Sequence, residues 1–170
     1  MRLDGWQKEI LETKGNILLC SGRQVGKSTI IAARDGERAA TNSNESILII
    51  SATERQAEEL FLKVLNYLED HYKNLIRRGK DRPTKHTIYL RNGSVIRCLP
   101  TGLAGTGIRG FTITKLTADE AAFIPDEVWS AVTPMLLTTA GTMDLLSTPH
   151  GKAGYFYDCY RNETGDFNVF

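Results

Sequence analysis

The stretch "NILLCSGRQVGKST", residues 16 to 29, decides the fold. It opens as a short apolar run (16 to 20), crosses a glycine-bearing segment and closes on Gly26-Lys27-Ser28. From there "STIIAARDGERAA" (28 to 40) repeats its apolar residues at helical spacing. Strand, loop and helix in that order are the setting of a phosphate-binding loop. The pattern G-x-x-x-x-G-K-[ST] is met everywhere except its first position, where Ser21 stands for glycine. Phosphates need backbone N–H groups at a helix N-terminus, a glycine just before the lysine, an ammonium, and a hydroxyl for magnesium. Gly26, Lys27 and Ser28 supply the last three. Ser21 removes only a permissive residue at the strand exit, and Gly22 beside it can restore the turn. The candidate phosphate cradle is therefore Ser21, Gly22, Arg23, Gln24, Val25, Gly26, Lys27, Ser28 and Thr29.

Working outward, strands and helices alternate. "SILII" (46 to 50) reads as a buried strand, and "TERQAEELFLKVLNYLEDHY" (53 to 72) as an amphipathic helix opened by a Thr53/Gln56 capping box. Asn92-Gly93, between alternating apolar and polar residues in 87 to 100, is a hairpin signal. "TKLTADE" (114 to 120) predicts a strand ending in two acids, and "GTMDLLSTP" (141 to 149) a strand ending at a Ser-Thr-Pro turn. The sum is an α/β fold with a doubly wound, mainly parallel sheet flanked by helices, whose ligands bind at the carboxyl ends of its strands.

Composition narrows the classes of function. The 170 residues are 41% hydrophobic and 24% charged with a net charge of +1, so contact with nucleic acid must be local and not a matter of bulk charge. No apolar run approaches the roughly 18 residues of a membrane span, and residues 1 to 15 lack a signal peptide's apolar core, so a cytoplasmic protein is expected. Cys20, Cys98 and Cys159 are odd in number and widely spaced, which predicts reduced thiols. One segment departs from neutrality: "KNLIRRGKDRPTK" (73 to 85) sets six cations against Asp81. Such a cluster can hold nucleic-acid phosphates or simply be a solvated helix end and loop.

Nucleotide hydrolysis also needs carboxylates at a nearby strand end. Asp119 and Glu120 stand there, one to order magnesium through water, the other to orient or deprotonate the attacking water. Arg23 brings a permanent charge within reach of a terminal phosphate, and Gln7, after Trp6, offers an amide that matches the donor and acceptor edges of adenine.

Together "SGRQVGKST", "TADEAA" and "LLSTPHGKAGYFYDCY" resemble the ATPase domain of the large terminase subunit, the motor that packages DNA into tailed-virus capsids. That family's loop often carries Ser-Arg-Gln-x-Gly-Lys, so Ser21 and Arg23 look like a lineage variant; Gly22 stands where the family usually has serine. The resemblance implies a RecA-like ATPase that uses ATP and Mg2+, acts on double-stranded DNA, and assembles as a homo-oligomeric ring on a capsid portal with a small terminase subunit, in the host cytoplasm. It assigns Gln7 to adenine, Arg23 and Lys27 to phosphate, Ser28 and Asp119 to the metal, and Glu120 to catalysis. Ser147, Thr148 and Pro149 become the coupling motif, and Arg109, in "GTGIRG", an arginine that reaches into a neighbouring subunit. No stretch remains for the metal-binding acids of a nuclease, so one ATPase domain over 1 to 170 is expected, as from a fragment of a longer gene. Two other readings are a helicase-type ATPase, because "SATERQAEEL" resembles early superfamily 2 motifs, and a non-catalytic nucleotide-binding remnant of a prophage gene.

Overall fold

Residues 3–22, 26–100, 110 and 112–170 are described by the computed structural model. Arg23, Gln24, Val25 and Arg109 therefore lie outside the described residues. Helix α1 (Gly5–Glu12) leads into β1 (Asn16–Cys20), α2 (Lys27–Thr41), β2 (Ser46–Ser51) and α3 (Glu54–His71). Then come β3 (Thr87–Tyr89), β4 (Val95–Pro100), β5 (Lys115–Asp119), α4 (Asp126–Thr139), β6 (Thr142–Ser147), α5 (Tyr155–Arg161) and β7 (Phe167–Val169).

The strands join one sheet in the order β3-β4-β2-β5-β6-β1-β7. All neighbours are parallel except the β3–β4 pair. Helices cover both faces, so the central strands are buried on each side and read as near-continuous apolar runs. Alternation along the strands divides them between two layers. Ile17, Leu19, Ile47, Ile49 and Leu146 pack with Ile10 of α1, Ile30 and Ala39 of α2, and Leu60 and Val64 of α3. Leu18, Ile50, Leu116, Ala118 and Leu145 pack with Val128, Trp129 and Val132 of α4 and Phe156 of α5. Each fully buried aliphatic side chain of this kind contributes about 1.5–3 kcal/mol.

Local signals explain the boundaries. Thr53 Oγ1 accepts the Gln56 N–H at 3.3 Å, half of the expected capping box; the Gln56 carboxamide oxygen instead accepts from the Ser51 hydroxyl at 3.2 Å. At the hairpin, Gly93 adopts φ +87 and donates to the Leu90 carbonyl, while Asn92 Nδ2 donates to the Ala39 carbonyl at 2.8 Å and ties the turn to the end of α2. The segment 114 to 120, read as a strand carrying both acids, ends one residue earlier: Asp119 closes β5, and Glu120 turns away at φ 48, ψ 46.

At the amino end of the sheet a charged cluster is buried. Lys115 Nζ lies 2.5 Å from Asp35 Oδ1 and 2.7 Å from Asp144 Oδ2, and Arg34 Nε lies 3.0 Å from the same Asp144 oxygen. Arg34 also donates to the carbonyls of Ile10, Thr13 and Gly15, and Arg38 binds Glu45, Thr142 and the Thr114 carbonyl, so both guanidinium groups are anchored by the protein. A cavity of about 580 Å³ opens beside them. The three cysteines are unpaired thiols, as their spacing predicts. Among the described residues no helix is long and apolar enough to cross a membrane.

Candidate nucleotide site

The loop ends on Gly26, which takes the left-handed conformation at φ +81 that glycine adopts without penalty. Among the described residues no side chain caps α2, so its first N–H groups and the positive end of its dipole stay available to an anion. Lys27 is buried, and its ammonium donates to the Ser21 and Gly22 carbonyls, each at 2.6 Å. The lysine thus closes the loop on itself, with neutral acceptors that a phosphate can outcompete. Ser21 N–H donates to the Ser147 carbonyl at 3.3 Å, while its hydroxyl is buried with no partner among the described residues. Ser28 is half-buried and Thr29 exposed in the first turn of α2. Gln7 comes to the same place from α1: its Oε1 accepts the Asp4 N–H at 3.0 Å, and its Nε2 would lie 3.3 Å from a Cβ on Gly26.

The acids enter from two strands away. Parallel register sets Asp119 beside Ser51 and Cys20 beside Ser147, and β6 fills the space between β1 and β5. Glu120 is a non-glycine residue in left-handed geometry, a conformation costing about 1–2 kcal/mol that the surroundings must hold. Its N–H donates to Asp119 Oδ1 at 2.9 Å. Its Oε2 accepts from Thr148 Oγ1 at 3.2 Å and from the Thr148 N–H and Ser147 Oγ at 3.4 Å. Ser147 Oγ in turn accepts the Ala122 N–H, fixing the turn after the acids. Exposed Pro149 follows. A cavity of about 440 Å³ lined by Gln56, Glu120, Phe123 and Thr148 gives solvent a route to the carboxylate, with Phe123 stacked on His150 at 4.2 Å.

Burial pushes the Asp119 carboxyl above its usual range, and the neighbouring Glu120 charge adds to this; the Glu120 N–H, Lys63 and Lys27 oppose it. A divalent cation at Asp119 would relieve that penalty, so Asp119 and the Ser28 hydroxyl are the groups that would hold Mg2+. Of the sequence-predicted residues, Gln7, Ser21, Gly22, Gly26, Lys27 and Ser28 gather at the carboxyl ends of β1 and β6. Asp119, Glu120, Ser147 and Thr148 are joined there by hydrogen bonds. The basic segment 73 to 85 is partly neutralised, Arg78 by Glu69 at 2.8 Å and Arg77 by Asp81 at 3.6 Å. Sequence reasoning missed Gln56 as a wall of the Glu120 cavity and the Lys115 cluster. The signal for the latter was a charge inside each of two apolar strands, "KLTAD" and "MDLL".

A phosphate-loop strand separated by one strand from the strand of paired acids defines a RecA-like nucleotide-binding fold. The family described as "Terminase large subunit, T4likevirus-type, N-terminal" matches residues 18–168, and the chain belongs to that family. Its structure is similar to the large terminase ATPase domain of Thermus phage P74-26, with a TM-score of 0.78 at 23% identity over 99% of this chain and 80% of that one. It is similar to the large terminase of a thermophilic bacteriophage, with a TM-score of 0.79 at 14% identity over 100% of this chain and 45% of that one. The HK97 bacteriophage large terminase matches with a TM-score of 0.73 at 15% identity over 97% and 37%. The thermophilic bacteriophage protein has also been solved with ADP and with ATP-gamma-S. No curated protein matches the sequence.

Proposed function

We propose that this chain is the ATP-hydrolysing motor domain of a DNA-packaging terminase large subunit, coupling MgATP hydrolysis to translocation of double-stranded DNA. The observation that carries the reading is the bond between Glu120 and Thr148: the acid suited to water activation is held by the residue that follows the strand lying between phosphate loop and acids. Lys27 offers its ammonium to the β- and γ-phosphates, the α2 N–H groups cradle them, and Ser28 and Asp119 would hold a metal that, when bound, would neutralise charge on the phosphate oxygens. Glu120 orients and deprotonates the attacking water. Loss of the γ-phosphate changes what Glu120 faces, and its bond to Thr148 passes that change to the Ser147–Pro149 turn at the end of β6. Arg23 acts within its own subunit, and Arg109 acts across an interface in a homo-oligomeric ring, on a capsid portal and with a small subunit, in the host cytoplasm. An arginine at the developing charge supplies on the order of 10³ to 10⁵ in rate, so an isolated subunit hydrolyses slowly.

The test is steady-state ATP turnover with and without linear duplex DNA, alongside nucleotide binding by calorimetry. Lys27→Ala loses binding, whereas Glu120→Gln keeps binding and loses turnover. Unchanged affinity in Lys27→Ala rejects the loop assignment, and full turnover in Glu120→Gln rejects the acid. Mixing Glu120→Gln with Arg109→Ala subunits under assembling conditions restores part of the activity if Arg109 works in trans. No recovery at any ratio, with assembly confirmed, rejects that role.

A further inference from the structure

Away from the nucleotide site, two carboxylates and an imidazole converge where the first turns of α3 meet the chain leading into β3. Glu54 and Glu58 are spaced four residues apart, which puts them on one face of the helix. His86 Nε2 lies 2.9 Å from Glu58 Oε1 and 3.9 Å from Glu54 Oε1, and one donor atom from each of the three falls within 4.8 Å of the others. The imidazole is held in place by its own backbone: the His86 N–H donates to Thr84 Oγ1 at 3.2 Å, and the His86 carbonyl accepts the Cys98 N–H at 3.0 Å from β4. Among the described residues no lysine or arginine pairs with Glu54 or Glu58; Arg55, between them in sequence, pairs with Glu59. Like charges four apart on a helix repel, so a cation held between them would relieve that repulsion.

We propose that Glu54, Glu58 and His86 form a site for a divalent transition-metal ion of the zinc class, separate from the magnesium site. One imidazole nitrogen and two carboxylate oxygens form a borderline donor set that suits zinc or cobalt, whereas magnesium and calcium take oxygen donors in larger number. Bonds of about 2.0–2.1 Å in a tetrahedral site place neighbouring donors roughly 3.3 Å apart. The 2.9 and 3.9 Å separations bracket that spacing, and small rotations of partly exposed glutamates close the difference. Three protein donors leave one position for water. The ion would staple the start of α3 to the chain before β3. The same first turn supplies Thr53 and Gln56 to the cavity at Glu120, so the staple would stiffen that wall.

The whole chain, stripped of metal and free of nucleotide, is titrated with Zn2+ by calorimetry and with Co2+ by visible absorption. The expected result is one equivalent bound, a rise in Tm, and at least a tenfold loss of affinity in His86→Ala and in Glu58→Gln, while Asp119→Asn binds as wild type. Glu54→Gln alters a side chain that is 59% exposed and outside the packed core, so it gives the same loss with folding preserved. No saturable binding, unchanged affinity in the His86 and glutamate variants, or Co2+ spectra showing thiolate ligation would each overturn the site.

Discussion

Replacing Lys115 with methionine tests whether the buried cluster at the amino end of the sheet holds β5 in place. Lys115 is 1% exposed and Asp35 fully buried, so the ammonium is the ionic partner Asp35 depends on. Asp144 keeps Arg34 at 3.0 Å after the change; among the described residues Asp35 keeps no cation. Leaving one charge of a buried pair uncompensated costs about 3–5 kcal/mol. In a domain of this size about 2–4 °C of Tm goes with each kcal/mol, so a fall of about 6–20 °C is expected. The loss should depend on pH. Burial already raises the Asp35 carboxyl, with Asp144 adding and Lys115 opposing, and removing Lys115 raises it further. A carboxyl whose folded pKa is raised is costless while protonated and destabilises as pH rises from its unfolded value through its folded one. The gap to wild type is therefore widest near neutrality and narrows toward pH 4. Urea unfolding followed by tryptophan fluorescence across that range measures it. Asp35→Asn in the Lys115→Met background should recover more than about 1 kcal/mol, since it removes the stranded charge. A single-variant loss below about 1 kcal/mol, or one that does not change with pH, would refute the reasoning.

Asp119→Asn removes a carboxylate whose charged form burial disfavours, so above the raised pKa the variant should melt a few degrees higher than wild type while losing MgATP turnover; a lower Tm contradicts the electrostatic account. Gly93→Ala drives a Cβ into Asn44 Oδ1 at φ +87, which should cost about 1–3 kcal/mol in thermal unfolding and leave nucleotide affinity unchanged. Reversing charge at Arg77 and Arg78 should weaken duplex DNA binding in low salt and flatten its salt dependence, measured by fluorescence anisotropy; unchanged affinity assigns those side chains to their Asp81 and Glu69 pairs alone.

Local physics made much of this molecule legible in one dimension. A lysine preceded by glycine and followed by a helical period reads as a phosphate loop, because chain direction and the αL position are set within a few residues; Gly26 is left-handed and Lys27 opens α2. Asn92-Gly93 gives the hairpin and Thr53 caps α3 for the same reason, each turn or cap being satisfied by neighbours in sequence. The apolar runs of β1 and β2 declared strands buried on both faces. Short α1 and the three-residue β7 left little periodicity, and they form by docking on α2 and β1. Strand order was beyond local reach. Nothing in residues 141 to 149 says that β6 inserts between β1 and β5, yet that insertion brings Thr148 to Glu120 and Ser147 to Ser21. The same placement sets Asp144 against Lys115 and joins charges borne by otherwise apolar strands into a buried network. Sequence alone pointed to the candidate segments, because the residue types of a glycine-lysine loop and of an acid pair are written within each segment. Tertiary structure decided which segments face one another, because contacts between residues as far apart in the chain as Ser21 and Ser147 arise only once the sheet has chosen its order.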